Sequence, residues 1–205
     1  MNVALNYVNR SKGTNNPDIV VFAKNAATGF DEVAVAWLVI RNCGQGDNHP
    51  FTYPMAMTIG ASDSYGNYTR QLAAQNGQLF LMVSSPLSDA LTYGGAASSN
   101  SQVELRNDLA KGAIDARIFK DGRLFALKSS VAPKQKAVFQ FKPTIWIGVA
   151  SQVEQGSVVN SAIVSSVNTE ISLLGIASAD IVMTGGGQGA GSTPFVFALE
   201  NVVMA

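Results

Sequence analysis

Short apolar runs, rich in β-branched and aromatic residues, recur along the whole chain and are separated by clusters of Gly, Pro, Asn and Ser. That rhythm is the signature of strands joined by turns, without the long amphipathic stretches that crossover helices would show. It predicts strands over residues 3–8, 19–24, 33–40, 54–59, 68–73, 78–83, 91–93, 113–119, 123–128, 136–141, 145–150, 158–164, 168–173, 180–183 and 195–202. The fold class is therefore all-β, an antiparallel β-sandwich with at most one or two short helices. Jelly-roll and Ig-like topologies both remain open. With 205 residues the chain reads as a single sandwich domain, 1–205, since such domains commonly reach ~200–250 residues.

The clearest local prediction is a hairpin around Asp121-Gly122, a two-residue loop that suits a type I′ turn because both residues tolerate positive φ. Its simplest register sets Lys120 opposite Arg123, Ile118 opposite Phe125, Ala116 opposite Leu127 and Asp115 opposite Lys128. One face then buries Ile114, Ala116, Ile118, Phe125 and Leu127, and the other carries a cross-strand pair of Asp115 and Lys128. Residues 33–40 and 145–150 are apolar on both faces, which places them centrally or under cover, with Trp37 and Trp146 in the core. Residues 101–109 fit a short helix, with the Ser101-to-Glu104 capping spacing, as well as they fit a strand. Long loops are expected over 42–52, 94–100 and 184–193.

Composition changes the picture of the surface. Charged residues make up 14% of the chain, against ~25% in an ordinary domain. Ser, Thr, Asn and Gln together number 54, so amides and hydroxyls cover most of the exterior. The formal net charge is +0, which leaves little self-repulsion between copies. Charge is also unevenly placed: residues 106–142 are net +6 and residues 143–205 are net −4. The plain explanation is chance variation over solvated faces. The sharper one is head-to-tail complementarity between copies. Interspersed acids, a pI near 6.6 and the lack of a recognition helix argue against nucleic acid.

The single cysteine excludes an intramolecular disulfide, and one Cys with one His cannot supply a four-ligand zinc site, so no metal and no cofactor are expected. The N-terminal residues lack a signal-peptide pattern, and no apolar run reaches the ~18–20 residues of a membrane helix. The expected compartment is the cytoplasm, with export by a signal-independent route as the alternative.

Candidate chemistry is sparse. Cys43, Asp47 and His49 share one loop and match a nucleophile, orienter and base by residue type. Such groups normally converge from separate elements, so a small buried Cys and a loop His are the simpler reading. Asp31 and Glu32 are neighbours in sequence and would face opposite sides of a strand, so they make no acid–base pair. Gly185-Gly186-Gly187-Gln188-Gly189-Ala190 fits the spacing of a dinucleotide loop, yet Phe195-Val196-Phe197 follows it as a strand where a helix is required. It is a glycine hairpin. The turn Asp63-Ser64-Tyr65-Gly66-Asn67-Tyr68, with Tyr53 nearby in sequence, has the ring faces, amide and carboxylate that suit a sugar. Tyr53, Asp63, Tyr65, Asn67 and Tyr68 are thus the candidate ligand-binding residues.

These features rank the functions. First comes a non-catalytic structural or self-associating module whose partner is a homo-oligomer of itself. A lectin-like or toxin-like module binding a glycan or cell surface comes second, and a Cys-His hydrolase third.

Overall fold

In a computed structural model, residues 2–13, 16–27, 34–159, 163, 167 and 169–205 are described. Their strands, in chain order, are β1 (Val3–Asn9), β2 (Ile19–Phe22), β3 (Ala34–Val35), β4 (Leu38–Ile40), β5 (Asn48–Tyr53), β6 (Met57–Asp63), β7 (Leu72–Ala74), β8 (Gln78–Ser84) and β9 (Asp89–Ala96). They continue as β10 (Val103–Asn107), β11 (Ile114–Lys120), β12 (Arg123–Val131), β13 (Lys136–Phe139), β14 (Thr144–Val149), β15 (Val158–Val159), β16 (Thr169–Ser172), β17 (Ile176–Gly186) and β18 (Thr193–Met204). The fold is all-β and sandwich-like, and most strand pairs are antiparallel. Among the pairs with a described register, β1 with β17 and β8 with β10 are parallel.

The strands group into two compact units. The first comprises residues 1–23, 36–55 and 143–205, and the second residues 24–35 and 56–142. The first unit holds one sheet in the order β18-β17-β1-β5 and another in the order β16-β14-β2-β4, with β14 and β16 lying against β18. Alternation builds β1: Val3, Leu5 and Tyr7 are buried between less buried neighbours. The inner strands β2 and β14 each have a strand on both sides; β2 is buried on both faces, whereas in β14 Ile145 and Ile147 are buried and Trp146, expected in the core, is only half-buried.

In the second unit one sheet runs β13-β10-β8-β9, and the other includes β3, β12, β11, β6 and β7 in that order. Aromatic rings join the two layers. Phe125 of β12 meets Phe141 edge-to-face at 4.9 Å, and Phe141 stacks on Phe139 of β13 at 6.3 Å.

Several sequence expectations are corrected. The Asp121-Gly122 turn forms, with φ of 52° and 69°, and Lys120 does face Arg123. A bulge at Phe125 then moves the register by one, so that Ile118 faces Ala126 and Ala116 faces Lys128. Phe125 and Ala126 are both buried, Leu127 is only half-buried, and Asp115 instead accepts the Ser130 N–H and lies near Arg117. The run 33–40 is two strands, β3 and β4, divided between the two units, with Trp37 fully buried between them in sequence. Residues 48–52, expected in a loop, belong with Tyr53 to edge strand β5 against β1, where Pro50 is tolerated. The 101–109 segment holds strand β10, Val103–Asn107, in place of a helix, with partners on both sides. The expectations for Val33, Asp31 and Glu32, for residues 160–162 and 164 of the predicted strand 158–164, and for Asn168 lie outside the described residues.

Candidate functional site

The loop carrying the only Cys is organised by Asn9 at the end of β1. Its amide Nδ2 donates to the Cys43 carbonyl at 2.8 Å, its backbone N–H to the Asp47 carbonyl at 3.0 Å, and its own carbonyl accepts the Gly46 N–H at 2.7 Å. The Asp47 carboxylate turns inward on the loop and accepts the Gly44 N–H at 2.9 Å. It makes no hydrogen bond to Cys43 or His49 among the described residues. The Cys43 thiol is buried; burial, and secondarily the Asp47 charge, raise its pKa, so it is protonated at neutral pH. Burial also pushes the neighbouring Tyr7 phenol up, with Cys43 adding to the effect, and its hydroxyl donates to Met183 Sδ at 3.4 Å. His49 is exposed on β5, opposite Tyr7 in register. The loop thus holds Cys43 as a buried thiol and uses the Asp47 carboxylate as a staple for its own backbone.

The tyrosine turn is built differently. Asp63 ends β6, and its carboxylate accepts the Tyr65 N–H at 2.9 Å, the Asn67 N–H at 2.9 Å and the Asn67 Nδ2 at 2.8 Å. The Asn67 side-chain bond is the largest cause of a carboxyl held below its ordinary range. Asp63 and Asn67 are thus engaged with each other in an Asx-type turn. The turn projects Tyr65 and Tyr68, which are 88% and 67% exposed. Arg117 lies over the Tyr68 ring, its Cζ 4.9 Å from the centroid, and donates to Ser62 Oγ at 3.3 Å. Tyr53 does not join this group. It is 1% exposed, meets Trp37 edge-to-face at 5.6 Å, and burial raises its phenol to about 12. It is a core residue with no ring face free for a ligand.

Three features had no clear sign in the sequence. Glu104 is buried on β10 and accepts Lys136 Nζ at 2.8 Å and the Ser98 N–H at 3.2 Å. Burial acts upward on this carboxyl most strongly, yet the bonds from Lys136 and Ser98 together hold it below the ordinary range. In the first unit Asp180 accepts Asn201 Nδ2 at 2.7 Å and Asn6 Nδ2 at 3.0 Å, which lower its pKa, the Asn201 bond most. Beside it Arg10 pairs with Glu200 at 2.8 Å.

The third feature is an open hollow of about 750 Å³ at the glycine hairpin, lined by uncharged residues that include Gly13, Pro17, Gly186, Gln188, Thr193 and Phe195. A Cβ on Gly185 would collide with the Pro194 carbonyl, and φ is +90° there, so the hairpin requires glycine. Among the described lining residues none is charged, and Ser192 and Thr193 bring hydroxyls to it. Among the described residues no three His, Cys, Asp or Glu side chains gather where they could hold a metal, and no helix is long and apolar enough to cross a membrane.

No family model matches the chain, and no curated protein sequence or solved structure matches it either.

Proposed function

We propose that this chain is a non-catalytic β-sandwich protein that associates with copies of itself. The observation that supports the reading is how the two units divide the ionisable residues. The first unit has three basic and six acidic residues, net −3, and the second has eleven basic and eight acidic, net +3. A molecule with no net charge but opposite units attracts its own copies in a head-to-tail sense and suppresses head-to-head approach. The surface adds to this, since neutral amides and hydroxyls oppose association less than a dense charged coat does. Sedimentation velocity from micromolar to millimolar protein at low salt tests the proposal. A concentration-dependent rise in mass is expected, and a monomer throughout that range removes it.

A second reading, a glycan- or cell-surface-binding face, is favoured by one observation, the exposed rings of Tyr65 and Tyr68 beside Arg117. Stacking on sugar C–H patches and an amide-rich surround are the chemistry it uses. Glycan-array binding that disappears in Tyr65→Ala and Tyr68→Ala is its expected outcome, and a blank array eliminates it.

A further inference from the structure

Strand β18 closes one side of its sheet, and among the described residues no strand pairs with its outer edge. A free edge presents a row of unpaired N–H and C=O groups, and folded proteins normally blunt it with charge, proline or a bulge. Here those devices sit near the two ends. Pro194 opens the strand, and Asn201, at φ 49°, marks a break in register near its close. Between them residues 196–200 keep an unbroken register against β17, from Val196 opposite Thr184 to Glu200 opposite Asp180. Glu200 is the sole ionisable side chain of β18, and Arg10 already neutralises it. Val196, Val202, Val203 and Met204 are exposed along the strand. Nothing in this stretch resists a visiting strand.

The basic unit has a matching feature. Strand β9 ends its own sheet, and no strand pairs with its outer edge among the described residues. It runs in unbroken register against β8 from Asp89 opposite Ser84 to Tyr93 opposite Phe80, also five residues, before an irregularity. Tyr93 is exposed on it, and Leu87 is exposed just before it. The other terminal strands of that unit suit the role less. Strand β7 has three residues, and β13 has four and begins at Lys136.

We propose that the outer edge of β18 in one copy of this chain adds to the outer edge of β9 in the next, extending one sheet across two molecules. The inference rests on the self-association reading and names the surface it uses. At the scale of whole units, charge favours this pairing over β18 with β18, which would bring two net −3 units together, whereas β18 with β9 brings −3 to +3; the strands themselves each carry one acid, Glu200 and Asp89. Backbone hydrogen bonds supply the contact, as in other strand-addition complexes, and the exposed apolar side chains flank it. Because the two surfaces differ, the contact is heterologous, and repetition gives chains or closed rings in place of a simple two-fold dimer.

Proline substitution tests this without altering charge. Successive residues of an antiparallel strand direct their N–H groups to opposite edges, so at one of Phe197 or Ala198 proline spares the ladder to β17 and removes an outward donor. The same holds for Leu91 or Thr92 on β9. From each pair, the variant whose circular-dichroism spectrum and melting transition match the unmodified chain is studied by sedimentation velocity. Each alone is expected to associate at least tenfold more weakly than the unmodified chain. An equimolar mixture of the β18 and β9 variants is expected to return a one-to-one dimer and nothing larger, since one intact edge of each kind remains. If the unmodified chain associates but the β9 variant does so equally well, or the mixture stays monomeric, the edge pairing is wrong and self-association stands. If the unmodified chain never associates, both fall.

Discussion

Lys120 is a basic side chain held in an apolar setting. It ends β11, is 5% exposed, and its Nζ lies 5.2 Å from the centre of the Phe125 ring. Burial disfavours the ammonium and lowers its pKa to about 8. In the unfolded chain the same group titrates near ~10.4, so between these values the unfolded state binds the extra proton and stability rises with pH. Below about 8 both states are protonated and the folded state carries the whole penalty, at most about 3 kcal/mol. Urea midpoints should therefore climb from pH 8 to pH 10.5, and Lys120→Met should flatten that climb. An unchanged slope in the Lys120→Met protein would show that another group sets the dependence. A second residue-scale test is Gly185→Ala. It forces a Cβ onto the Pro194 carbonyl at φ +90° and should cost ~1–3 kcal/mol by thermal melting, whereas Gly46→Ala, where no atom crowds the Cβ position, should lose only the smaller backbone cost. From sequence, the place of Lys120 opposite Arg123 was legible from the turn alone. Its burial was not, because a lysine at a strand end ordinarily keeps its head in water.

At the scale of elements, legibility followed the range of the interactions involved. The Asp121-Gly122 turn could be read because two adjacent residues determine it, and β1 because its own alternation does. Strand β5 could not, since Asn48, His49 and Pro50 lack strand propensity and only pairing with distant β1 makes them extended. The bulge at Phe125 had no local mark either. It appears where Phe125 must reach Phe141 while Ala126 meets Ala34 of β3. Among the candidate sites, the Asp63 turn was visible as a turn, but Tyr53 was grouped with it by sequence proximity when its ring belongs to Trp37. Glu104 was invisible because its partner Lys136 is brought alongside by the β10–β13 pairing. That pairing makes a prediction of its own. Lys136→Met leaves a buried carboxylate with fewer donors, and should destabilise the fold by ~1–3 kcal/mol at pH 7. The folded pKa of Glu104 is depressed, so its contribution is present above the unfolded value of ~4.3 and fades as pH falls through the lower folded value. Stability curves of the unmodified and Lys136→Met proteins should converge toward pH 3, and a constant gap would remove the ion pair as the cause.

On the scale of the molecule, the two charge blocks seen along the chain acquire a structural meaning. Residues 106–142, net +6, lie wholly in the second unit, and residues 143–205, net −4, lie wholly in the first. The division into units was not itself legible, because each is assembled from separated stretches and no linker composition marks the crossings at 23–24, 35–36, 55–56 and 142–143. What the sequence does record is the asymmetry, and the asymmetry has a consequence that salt can measure. Attraction between a net −3 unit and a net +3 unit acts over a Debye length, ~10 Å at 0.1 M salt and ~3 Å at 1 M. If charge orients the copies before the strand edges meet, raising NaCl from 0.05 to 1 M should slow association and weaken it about tenfold or more. The dissociation rate should change much less, because backbone hydrogen bonds and apolar contacts between β18 and β9 hold the formed complex. Hydrophobic contact alone predicts the opposite trend, since high salt strengthens apolar burial. Association kinetics by stopped-flow light scattering across that salt series therefore separate the two. An association constant that rises with salt would remove the electrostatic half of the proposal and leave apolar contact as its sole basis.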